Sequence, residues 1–178
     1  MKKLLTISIA LVIAISIYAC EKDDICAETT PTTPRLIVDF YDFANQSAVK
    51  NVANLTAVAE GATDSIVFNE ALAATDSTRY YFNGNSLALP LNVADSITTY
   101  RLKINSQSTN PLVFNEDIVK INYATQQVYV SRACGYKTSF NLTSITEEGV
   151  VEEQWIRNLM IENANVENEN DVHVKIYF

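Results

Sequence analysis

Histidine occurs once in the 178 residues, as His173, and cysteine three times, as Cys20, Cys26 and Cys134. So few imidazoles and thiols leave little material for a zinc cluster, a thiol-rich scaffold or a His-dependent hydrolase. Glycine is scarce too: Gly61, Gly84, Gly135 and Gly149 are too scattered to build a phosphate cradle, which argues against a nucleotide enzyme. Basic residues number 13 against 21 acidic ones, for a net charge of -8, so a nucleic-acid surface is not expected. Long apolar runs are equally sparse. There is one, near the N-terminus, which excludes a polytopic helical membrane protein. No cofactor and no metal site are implied.

The one apolar run explains itself. Lys2 and Lys3 precede Leu4 to Ala19, interrupted only by Thr6, Ser8 and Ser16, and a small residue then meets Cys20. Sixteen residues fall short of the ~20 needed to span a bilayer, and the layout is that of a secretory signal. Ile17-Tyr18-Ala19-Cys20 resembles a bacterial lipobox, although Tyr18 sits where a small or aliphatic residue is usual. The expectation is therefore a signal peptide over residues 1–19, cleavage, and acylation of Cys20; plain secretion or an uncleaved anchor are the alternatives. Cleavage removes Lys2 and Lys3 and takes the net charge from -8 to -10. With so acidic a chain, attachment has to come from the acyl chains on Cys20, several of which hold where one does not.

With Cys20 acylated, Cys26 and Cys134 remain as an even pair outside the reducing cytosol. A disulfide between them is the simplest expectation, with two separate buried thiols as the alternative. Neither lies in Cys-x-x-Cys, so a redox role has no support.

Residues 20–33 read as a lipidated tether and linker, since Thr29-Thr30-Pro31-Thr32-Thr33-Pro34 can pack neither a helix nor a central strand. Residues 34–178 read as one domain. Leu36, Val38 and Phe40 alternate with Arg35 and Asp39, and Leu55, Ala57 and Ala59 repeat the period before Gly61. Ile66 to Phe68 gives a third run, and Arg79 to Phe82 faces Asn85 to Leu91 across Asn83-Gly84, a pair suited to a tight hairpin. Tyr100, Leu102 and Ile104 alternate, as do Val119, Ile121 and Tyr123. A strand over Val128 to Ala133 and another over Tyr136 to Leu142 follow. Val172, Val174, Ile176 and Phe178 share a closing face, which puts His173, Lys175 and Tyr177 toward solvent. Helical spacing competes over residues 150–163, where a strand from Trp155 to Asn163 is the preferred reading. About nine short strands predict an all-β fold, an antiparallel β-sandwich of immunoglobulin-like or transthyretin-like arrangement.

Four segments carry a resemblance: Cys20-Glu21-Lys22-Asp23-Asp24-Ile25-Cys26, Thr32 to Asp42, Val128 to Lys137, and Val172 to Phe178. The chain resembles an uncharacterised family, a domain of unknown function, of small lipoproteins from Bacteroidota-type Gram-negative bacteria. The resemblance implies an envelope lipoprotein and assigns no catalytic or ligand-binding residue. Ala71 to Asn85 reads as longer than such a family leads one to expect. Lys22, Asp23 and Asp24, directly after the lipidated cysteine, are similar to the surface-export signal of such lipoproteins. An outer-membrane protein facing outward is the implied location, and one facing the periplasm the alternative. Ser65, Ser77 and Ser96 each follow an aspartate, similar to the O-glycosylation sites of exported proteins in these bacteria; turn chemistry explains the same pairs.

Of the remaining side chains, Tyr80, Tyr81 and Phe82 form a candidate binding patch for a protein or glycan partner, set against ordinary packing. Glu167 to Asp171 offers oxygens without the spacing of a calcium loop and reads as a solvated connection. Asp23-Asp24 falls in the tether, and Glu116-Asp117 reads as an acidic pair preceding a strand. The sequence thus points to a non-enzymatic binding or accessory module held at the outer membrane. The alternative is a carboxylate-based hydrolase on a β-sandwich, because paired acids brought together by folding need no sequence motif.

Overall fold

The computed structural model describes residues 25–27, 30, 32–108, 115–148 and 154–178. The chain forms two compact units. One joins the described tether residues to Val128–Lys137; the other comprises Thr32–Gln127 and Thr138–Phe178.

The larger unit is a β-sandwich. Its strands are β1 (Leu36–Tyr41), β2 (Val52–Ala59), β3 (Phe82–Gly84), β4 (Ser86–Leu89), β5 (Ile97–Ile104), β6 (Asn115–Ser131), β7 (Gly135–Glu148), β8 (Asn158–Ile161), β9 (Asn165–Val166) and β10 (Val174–Tyr177), with β6 and β7 running on into the smaller unit. One sheet has the order β4-β1-β10-β8 and the other β3-β2-β5-β6-β7-β9. All described pairings are antiparallel except that of β1 with β10, where Val38 lies opposite Val174 and Tyr41 opposite Tyr177. Period-two alternation produces this arrangement directly: Leu36, Val38 and Phe40 of β1 meet Leu55 and Ala57 of β2, Tyr100 and Leu102 of β5, and Val119, Ile121 and Tyr123 of β6 in a single core. Trp155 ties the sheets together. Its ring packs edge-on to Phe178 and against Phe40, while its Nε1–H donates to the Leu102 carbonyl at 3.3 Å.

Several local expectations are corrected. Asn83-Gly84 does not turn a hairpin; β3 pairs with β2 and β4 with β1, so the chain changes sheets there. A Cβ on Gly84 would stand 3.0 Å from the Phe82 ring, and Asn83 Oδ1 accepts the Asn54 N–H at 2.9 Å, so the pair serves a corner. Arg79 and Tyr80 belong to a 3-10 turn, Ser77–Tyr80, capped by Asp76. Ile66 to Phe68 is not a strand, although Ile66 and Phe68 pack on the core. Strand β6 continues through Ala124–Gln126, and only Asn158–Ile161 of the Trp155–Asn163 segment is a strand. Nor does the closing strand have one wet face, since Tyr177 and His173 are buried along with Val174 and Ile176.

Candidate functional site

The outer face of the six-stranded sheet is built from the polar half of the same alternation. Arg101 and Lys103 on β5 reach Glu116 on β6 at 4.0 and 3.6 Å, Lys120 reaches Glu148 of β7 at 3.5 Å, and Asn122 donates to Ser144 Oγ at 2.9 Å. At one end of this ladder the turn after β2 and the β4–β5 loop rise on either side. They enclose a groove of about 660 Å³ whose lining includes Glu60, Asp95, Arg101, Lys120, Glu148 and the apolar Ile97. The loop is held from beneath. Asn92 N–H donates to Thr98 Oγ1 at 3.0 Å, Tyr123 O–H donates to the Asn92 carbonyl at 2.8 Å, and the two hydroxyls lie 2.6 Å apart. Tyr100 O–H adds a bond to the Pro90 carbonyl. Burial raises the pKa of both tyrosines, which stay neutral as donors. Chemically, the groove presents charges of both signs around a short apolar floor. That composition suits a polar peptide or a hydroxylated ligand.

On the opposite, inner face lies a feature that the sequence reading passed over. Asp117 does not precede a strand; it stands on β6 and is buried. Its Oδ2 accepts the Ile156 N–H at 2.7 Å, and the Trp155 N–H and the Glu147 carboxyl of β7 stand close enough to influence its titration. Withdrawal from water raises the Asp117 pKa, against the lowering effect of those neighbours and of Arg157. Glu147 is pushed up to about 7 by burial and by the negative charge of Asp117. Below that pH the pair holds one proton between two neighbouring acids. The signal in sequence was faint: Asp117 occupies the inward phase of the β6 alternation, two residues before Val119, and nothing marked Glu147 as its partner.

Residues 54–178, which hold the groove and both acids, match the profile described as a family of unknown function, DUF6452. The chain belongs to this family. No curated protein and no solved structure matches it. The DUF6452 match starts within β2, so the tether, Cys26 and β1 lie outside it while Cys134 lies within.

Against this DUF6452 frame the anticipated site residues scatter. Cys20, Lys22, Asp23 and Asp24 lie outside the described residues. Cys26 and Cys134 are joined in a disulfide, 108 residues apart in sequence. Ser77 and Ser96 are exposed, Ser77 opening the 3-10 turn and Ser96 in the loop beside the groove, whereas Ser65 is half-buried. Tyr80, Tyr81 and Phe82 are all half-buried, with Phe82 packed on Phe68 at 5.6 Å and Tyr80 under Arg79. His173 reverses its expected orientation. It is 0% exposed, its Nδ1 accepts the Ile37 N–H at 3.0 Å, and its own N–H donates to the Ile37 carbonyl, which fastens β10 to β1. Burial lowers its pKa, so it stays neutral with the proton on Nε2, an atom without a protein partner. The 167–171 loop is held by Glu169, which grips Arg35 through both carboxylate oxygens at 2.9 and 2.6 Å. Among the described residues no three metal-ligating side chains cluster.

Proposed function

We propose that the protein is a lipid-anchored lipoprotein of a Bacteroidota-type outer membrane, acting as a non-enzymatic binding or accessory module through the groove on its six-stranded sheet. The observation that carries this reading is the disulfide between Cys26 and Cys134. Such a bond persists in an oxidising compartment, and Cys26 follows the lipobox-like Cys20 by six residues, so export and anchoring account for all three cysteines. Acylation carries the domain to the membrane, and the short charged stretch Lys22-Asp23-Asp24 directs it outward.

The hydrolase alternative has one observation in its favour, the Asp117–Glu147 pair. The pair's surroundings support a structural role instead: Asp117 is buried with its Oδ2 held by the Ile156 N–H, and neither acid lines the groove.

The test uses cells of the native host. Wild-type protein is expected to carry the acyl mass at Cys20 and to lose its folded domain to protease added outside intact cells. Cys20→Ala should release the domain from the membrane fraction, and joint alanine replacement of Lys22, Asp23 and Asp24 should abolish surface exposure with acylation intact. Unmodified Cys20 in membrane-free protein would overturn the reading; acylated protein that is cut only after permeabilisation would place the domain in the periplasm.

A further inference from the structure

The three most exposed large apolar side chains among the described residues are Ile25 at 85%, Tyr136 at 67% and Tyr129 at 58%. All three belong to the smaller unit, which holds the described tether residues and the tip of the β6–β7 hairpin. Burial by the rest of the fold does not account for them. Tyr129 and Tyr136 face each other across the hairpin, ring centroids 5.4 Å apart in an edge-to-face contact, which fixes them as a pair. The turn between them is stiffened as well: Gly135 takes φ +70°, and Cys134 N–H donates to Ser131 Oγ at 3.0 Å. Beside this pair the Cys26–Cys134 disulfide couples the tip covalently to the tether.

We infer that the tip of the β6–β7 hairpin, through Tyr129 and Tyr136 with Ile25, lies against the lipid headgroups of the leaflet that holds the acyl chains. The inference rests on the proposed acylation of Cys20. Cys26 lies six positions after Cys20, and a fully extended chain of that length reaches only about 20 Å, so the disulfide confines the tip to the neighbourhood of the bilayer surface. Tyrosine suits that zone, with an apolar ring that enters the boundary and a hydroxyl that remains among the headgroups. A protein partner would need no such proximity to the anchor. The lipid surface is therefore the occupant that tether length and ring chemistry select together.

The experiment uses the full-length acylated protein in phosphatidylethanolamine–phosphatidylglycerol vesicles, with acylation verified by intact mass. Buried Trp155 serves as the internal reference, and Tyr136→Trp adds a reporter at the tip. The reporter's emission is expected to fall about twofold when lipids brominated high on their chains replace the ordinary ones, with Trp155 emission in the parent protein unchanged. Tyr129→Trp supplies a second reporter should the first variant not fold. Acylated, vesicle-bound protein whose tip reporters ignore brominated lipid and remain open to acrylamide overturns the inference and leaves the lipoprotein reading standing. Protein without the acyl mass overturns both.

Discussion

Two titratable side chains, buried His173 and half-buried Glu147, pull the stability of this domain in opposite directions with pH. His173 has a folded pKa below its ordinary 6.5 because burial disfavours the imidazolium, so the unfolded chain takes up the proton first and stability falls as pH drops below that value. Glu147 works the other way. Its folded pKa, about 7, stands above the ordinary 4.5; its proton is retained on folding, and stability is lost as pH rises from 4.5 and fully lost above 7. Glutamine at 147 keeps an uncharged donor facing Asp117 at every pH. Glu147→Gln is therefore expected to stabilise the domain by about 1 kcal/mol at pH 8, a value discounted for solvent around the side chain, and to change little at pH 4. Urea unfolding of variant and parent at both pH values checks this. Equal stability at pH 8 would show that Glu147 is ionised there at no cost to the fold.

At the scale of strands, what was legible depended on whether the chain kept one period. β1, β5 and the inner half of β6 alternate without interruption, and Leu36, Tyr100 and Ile121 are buried as the alternation requires. β2 breaks step. Asn54 adopts φ +48° in a bulge, so Val52 and Leu55, three apart, both face the core. The corner at Gly84 was read as a hairpin because asparagine-glycine chemistry records a bend without recording which sheet the next strand joins. His173 and Tyr177 were misplaced for a different reason: both are buried on the face opposite Val174 and Ile176, so alternation there does not separate wet from dry. The groove was not legible at all, since its walls come from segments far apart in sequence and depend on the hydroxyl network beneath Asn92. That network gives a prediction at this scale. Tyr123→Phe removes the bond to the Asn92 carbonyl and one partner of Thr98, and should cost about 1 kcal/mol. The loss should be local. Amide exchange is expected to quicken in residues 92–96 while β1 and β10 keep their protection, and uniform acceleration throughout would mean the bond supports the whole core instead of the groove wall.

For the molecule as a whole the disulfide matters most through the chain it closes. Cys26 and Cys134 are 108 residues apart, and the loop between them contains β1 through β6. Most of the sandwich is thus strung between two points that stay joined when everything else unfolds. In the chain-entropy account, closing a loop of this length removes about 4.7 kcal/mol of conformational freedom from the unfolded state, with measured values often lower. Because the effect falls on the unfolded chain, it should leave two marks. Paired replacement, Cys26→Ser with Cys134→Ser, is expected to lower the unfolding free energy by about 3 kcal/mol and at the same time to steepen the dependence on denaturant, since the released chain expands and exposes more surface. Guanidinium unfolding of the mature domain, oxidised parent against double variant, measures both quantities in one experiment. A lower midpoint with an unchanged slope would mean the bond stabilises the native hairpin tip directly. The steeper slope is the result that assigns its action to the unfolded chain, and it explains why the tether is fastened to a residue 108 positions further along the chain.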